Sequence, residues 1–136
     1  MATKIKSVSV IAARIVLGLI YFVFGLNFFL HFLPTPPSAG GVADAFVGGL
    51  FQSGYFFPML KSIEVVLGAF LLIGLFVPLA LVILMPISLN IFLFHAFLTP
   101  GNAAMGIVIV LVNLYLAWAY RDYYKPLFNR KAAVSL

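Results

Sequence analysis

Apolar residues run almost unbroken through four stretches of this chain, and polar or turn-forming residues mark where each stretch stops. The first runs from about Val8 to Leu33, long enough to cross a bilayer as a helix, which takes about 20 mostly apolar residues. The second runs from about Phe56 to Val77, where Pro78 is expected to break the helix. A third, about Leu79 to Leu98, contains Pro86, which a membrane helix accommodates as a kink. TPGN at 99–102 signals a tight turn before the fourth stretch, about Ala103 to Tyr120. The pattern predicts an all-α membrane protein: a four-transmembrane-helix bundle forming one domain over 1–136, with up-down connections. Segment 34–55 opens with the rigid PTPPSAGG, after which Val42 to Phe51 reads as a short helix with Asp44 near its positive end. That helix is either a capped surface element or a lid over a site.

Composition changes the solvent in which this pattern is read. Hydrophobic residues are 65% of the chain and charged residues 8%, with a mean hydropathy of +1.21. An ordinary soluble domain is about half apolar and about a quarter charged. A chain of 136 residues cannot hide so much apolar surface in one core. The bilayer is therefore its expected partner. The first stretch is too long for a signal-peptide core and lacks a small-residue cleavage motif, so it is expected to be kept.

Charge sets the expected orientation. Lys4, Lys6 and Arg14 lie at the start of span one, and Arg121, Lys125, Arg130 and Lys131 follow span four. By the positive-inside rule both termini are cytoplasmic, which makes 121–136 a cytoplasmic tail and the 42–51 helix extracytoplasmic. Trp118, Tyr120, Tyr123 and Tyr124 form an aromatic belt at the inner interface. The net charge of +5 reads as anchoring beside anionic headgroups rather than as a nucleic-acid surface. The absence of cysteine excludes disulfides, thiolate metal sites and dithiol relays within the chain. No GxGxxG, Walker loop or Ser–His–Asp spacing is present.

Candidate chemistry comes from the polar residues inside the spans. With both termini inside, Asn27 and His31, Lys61 and Glu64, and Asn90 and His95 all fall in the outer half of the membrane. Lys61, Glu64 and Gly68 share one stripe of span two, and Gly106, Asn113 and Tyr120 recur every seventh residue on span four. Asn90 and His95 lie about 140° apart on an ideal helix, His95 on the side of Ser88 and Asn90 on that of Pro86 and Phe94. Gly18, Gly25 and Gly68 are read as points of close helix approach. Ionisable residues at this depth face the protein and pair, so Lys61 is the expected partner of Glu64, with His31 and His95 joining from neighbouring helices.

Those six residues, Asn27, His31, Lys61, Glu64, Asn90 and His95, are the candidate ligand site. Read structurally, they are polar glue that fixes helix register. Read functionally, they line a pocket for a small amphipathic ligand. His31, His95 and Glu64 would match a two-histidine-one-carboxylate metal set, but Lys61 adds an unwelcome positive charge, and no metal is expected. Axial haem ligation by the two histidines and acid–base work on a bound quinone are the other chemistries weighed.

ARIVLGLIYFVFGLNFF at 13–29, KSIEVVLGAFLLIGLFVPLALVILMP at 61–86 and YLAWAYRDYYKPLF at 115–128 resemble the DoxX family of small bacterial membrane proteins. IEVVLGAFLLIGLF, with Glu64, Gly68 and Gly74, is the most specific piece, and FGLNFFLHF and LNIFLFHAFL resemble a DoxX-like subgroup. The resemblance implies a four-helix bundle of the bacterial cytoplasmic membrane and an accessory or ligand-binding part in quinone-linked redox metabolism. The alternatives are a carrier or binder of a small lipophilic molecule without redox chemistry, and a structural subunit of a homo-oligomer or larger membrane complex.

Overall fold

The computed structural model describes residues 2–135 as five α-helices: α1 (Ala2–Leu30), α2 (Gly41–Gln52), α3 (Phe56–Ile73), α4 (Val77–Leu98) and α5 (Ala103–Ala119). Three single 3₁₀ turns follow α4 and α5, at Pro100–Asn102, Arg121–Tyr123 and Lys125–Phe128. Among the described residues there is no strand. Four helices, α1, α3, α4 and α5 with the 3₁₀ turn that precedes it, are long and apolar enough to cross a membrane, and large side chains such as Leu19, Val66, Ile83 and Leu111 are exposed on their outer faces. In water that surface would drive association; in lipid it is solvated.

The helix boundaries differ from expectation at two places. Helix α3 stops at Ile73, before Pro78, because Gly74 takes a left-handed conformation (φ 79°). The N–H groups of Gly74 and Leu75 both donate to the Phe70 carbonyl, at 2.9 and 3.0 Å, which satisfies the helix end. Pro78 instead occupies the first turn of α4, where its missing N–H costs nothing. Helix α1 starts earlier than Val8 and ends at Leu30, three residues before the expected Leu33.

Helix α1 lies along α3, and α4 along α5, each pair held close by glycine. A Cβ at Gly68 would lie 2.7 Å from the Phe22 backbone nitrogen and 3.0 Å from the Gly18 carbonyl oxygen. One at Gly25 would meet the Val65 side chain at 2.8 Å, and one at Gly106 the Phe92 Cα at 2.8 Å. The expected close approaches of α1 to α3 are thus real, and Gly106 adds a matching one between α4 and α5. Between the two pairs, Leu17, Leu67, Leu71, Leu81, Leu84 and Leu116 form a buried core.

One end of the bundle gathers the start of α1, the α3–α4 turn and the chain after α5. The Arg14 guanidinium packs over Gly74, against the C-terminal end of α3, where the helix dipole favours a cation. Ser9 donates to the Lys6 carbonyl (2.8 Å), so its 2.6 Å bond to Tyr115 is donated by the tyrosine. Tyr124 donates to the Pro78 carbonyl at 2.8 Å and so ties the chain after α5 to the start of α4. Burial pushes the Tyr124 hydroxyl up from 10.0 to about 12, with Tyr120 adding to the shift. A raised phenol favours the neutral folded form, so this tie is intact below pH 10.0 and is lost as the pH climbs from there to about 12. Tyrosinate absorbance during alkaline titration should show a group titrating near pH 12 that disappears in Tyr124→Phe, a variant expected to lose about 0.5–1.5 kcal/mol.

Candidate functional site

Helix α3 carries the centre of the site. Its stripe of Lys61, Glu64 and Gly68 faces inward because Gly68 must meet α1, and Glu64 four residues earlier and Lys61 three before that follow it onto the same face. Lys61 Nζ and Glu64 Oε2 form an ion pair at 2.9 Å; the Glu64 side chain is 3% exposed and that of Lys61 22%. This is the pairing expected from their spacing.

Two cavities adjoin the pair. One, of about 170 Å³, lies beneath α2, whose Phe46, Val47 and Leu50 close it against α3 and α4. The other, of about 260 Å³, is walled by Tyr21 and Phe24 of α1, by α3 and α4, and by Met105 and Ile109 of α5. Lys61, Glu64, Ile91 and His95 line both. The walls are otherwise almost wholly apolar, so a hydrocarbon-rich space has one charged pair and one imidazole at its centre. His95 Nδ1 shares a 2.8 Å hydrogen bond with Thr99 Oγ1, which fixes the ring and leaves Nε2 as the nitrogen available to a ligand.

Helix α2 forms where a short helix was expected, with Asp44 in its first turn and no side-chain cap. Ser38 donates to the Asp44 carboxylate at its N-terminal end, and Gly40 (φ 75°), Gly41 (φ 56°) and Gly54 (φ 78°) turn the chain on either side of it. Its inner face covers the smaller cavity, with Phe46 and Phe94 rings 5.9 Å apart.

The six candidate residues separate into three groups. Lys61, Glu64 and His95 come together. Asn90 reaches only the smaller cavity and is exposed, as its angular offset from His95 implies. Asn27 and His31 line neither cavity. Their four-residue spacing predicts a shared face only if the helix continues, and it ends at Leu30. His31 adopts a left-handed conformation (φ 52°), and its N–H donates to the Asn27 carbonyl at 2.8 Å. The Asn27 side-chain oxygen then accepts from the Leu33 N–H at 2.7 Å. Together these bonds cap the helix, and His31 is exposed beyond it. The amide and imidazole in FGLNFFLHF end α1 rather than meet Glu64. The set His31, His95 and Glu64 is consequently not assembled, and among the described residues no three His, Asp or Glu side chains gather.

Sequence reasoning also passed over a second polar cluster. Tyr21, Ser88 and Asn113 are 2%, 0% and 0% exposed; Asn113 Nδ2 donates to Ser88 Oγ at 2.9 Å, and Ser88 bonds the Tyr21 hydroxyl at 2.5 Å. Asn113 was visible in its seven-residue stripe and Ser88 in its alignment with His95, but Tyr21 reads as one more aromatic in an apolar run. This cluster ties α1, α4 and α5 together next to the larger cavity, which Tyr21 also lines. Comparisons of the chain with protein-family models, with curated proteins and with solved structures find no match.

Proposed function

We propose that this chain is a DoxX-like protein of the bacterial cytoplasmic membrane that binds a small amphipathic lipophilic molecule of the quinone type, as an accessory component of membrane redox metabolism. The observation that carries this reading is the buried Lys61–Glu64 pair set between two apolar cavities. Either space alone is smaller than the roughly 300 Å³ at which ligand pockets begin, so a ligand of that size would have to bridge the pair and draw on both. A quinone offers carbonyl oxygens that Lys61 Nζ and His95 can donate to, and an apolar body that suits the walls. The family resemblance points the same way. A charged pair buried in a membrane bundle is costly, and residues of this kind commonly mark a functional site.

The reading includes an orientation. The end that gathers Lys4, Lys6, Arg14, Arg121 and Lys125 faces the cytoplasm, which puts the site and α2 in the outer half of the membrane. Single cysteines at Ser38 and Ser53 are expected to react with an impermeant maleimide applied from outside, and one at Ser135 is not. The opposite labelling would place the site in the inner half.

Mass spectrometry of lipids that co-purify with the chain from native membranes tests the function. An isoprenoid quinone retained by the native chain and lost from His95→Ala supports it. A retained lipophile without a redox-active ring favours a non-redox carrier, and equal lipid content in the native and variant chains would sink both.

A further inference from the structure

A groove of about 640 Å³ is lined by neither member of the ion pair. It lies at the opposite end, between α4, α5 and the two 3₁₀ turns after α5. Val82, Met85 and Pro86 of α4 and Ala117 of α5 form an apolar floor. Leu127 and Phe128 line it from the second turn while remaining 71% and 81% exposed. The Tyr124–Pro78 hydrogen bond holds that turn in place beside α4. Exposed apolar side chains of this size just past a span suit contact with acyl chains.

Apolar side chains make up most of the groove's lining, and Arg121 and Lys125 are the two basic residues that border it. Arg121 lines it with its guanidinium 4.6 Å above the Trp118 ring, fixed by donation to the Trp118 carbonyl at 2.9 Å. Lys125 also lines it, 2.8 Å from Asp122, and the hydrogen bond from Lys125 holds the Asp122 carboxyl below its ordinary value. Arg130 and Lys131 follow, so Asp122 is the single acidic residue among four basic ones between 121 and 131. The occupant that matches an apolar trough bordered by cationic residues is a lipid with an anionic headgroup.

We infer that the groove between α4, α5 and the 3₁₀ turns after α5 is a binding site for one anionic phospholipid, its phosphate at Arg121 and Lys125 and an acyl chain along Val82, Met85 and Pro86. The site is separate from the cavities at Lys61 and Glu64 and does not depend on what they hold.

Native mass spectrometry of the detergent-purified full chain tests this, with phosphatidylglycerol and phosphatidylcholine of identical acyl chains supplied in equal amounts. The chain should retain phosphatidylglycerol over phosphatidylcholine by about tenfold. Arg121→Gln/Lys125→Gln should abolish that preference, whereas Lys4→Gln/Lys131→Gln, which removes the same charge outside the groove, should keep it. Leu127→Ser/Phe128→Ser should lower retention of both lipids. Equal retention by the native chain, or equal loss of preference in the two charge variants, overturns the assignment. Displacement of the lipid by glycerol phosphate would also overturn it, by showing a site for the free anion.

Discussion

Lys61→Met is expected to be the most damaging single substitution in the bundle, at about 3–5 kcal/mol. It strands the Glu64 carboxylate, 3% exposed, without the ammonium 2.9 Å away. Glu64→Gln should cost less, because the Lys61 side chain is 22% exposed and its long stem lets the charge move toward the rim. The double variant Lys61→Met/Glu64→Gln strands no charge and should recover much of the loss. A double-mutant cycle from unfolding in mixed micelles reads this directly, and simple additivity would show that the pair does not act as a unit. His31→Ala is the internal reference. Since His31 lies beyond the capped end of α1, its effect should add to that of Glu64→Gln within about 0.3–0.5 kcal/mol. A larger departure would mean that His31 reaches the pair.

Gly68→Ala should cost about 1–3 kcal/mol. Its Cβ would lie 2.7 Å from the Phe22 nitrogen and 3.0 Å from the Gly18 oxygen. Both are backbone atoms of α1, so no rotamer change makes room; the helices must separate. Gly48 of α2 is the contrast, with nothing within 4 Å of its would-be Cβ. Gly48→Ala should be neutral or stabilising by up to about 1 kcal/mol, through the unfolded chain. Unfolding of both variants in the same micelles decides the matter, and equal effects would remove Gly68 from the interface.

Much of this architecture could be read from residue order, because lipid imposes a simple rule on backbone and side chains alike. Four apolar stretches of spanning length became four helices, and glycines at positions 18, 25 and 68 became contacts. The stripe of Lys61 and Glu64 was legible because both lie within one uninterrupted helix, where spacing alone determines the face. Asn27 and His31 were misread because the same arithmetic was carried across a helix end. The proline-rich segment after Leu33 signalled that end, but not that an asparagine side chain would reach forward to cap it. Gly74 was likewise overshadowed by Pro78, although a left-handed glycine stops a helix as firmly as a proline. The Tyr21–Ser88–Asn113 cluster spans three helices far apart in sequence, and no local pattern reports such a meeting.

Both cavities at the ion pair lie where the α1–α3 pair meets α4, and the larger one also touches α5. Neither helical hairpin holds their walls alone. Whatever occupies this space therefore acts as mortar between two halves of the molecule, touching α3 on one side and α4 on the other. A ligand confined to the joined state stabilises it by mass action, about 2.7 kcal/mol when its concentration is a hundred times its dissociation constant. Cohesion of the bundle would then rise and fall with the supply of that ligand in the membrane, making the folded population itself a gauge of lipid composition.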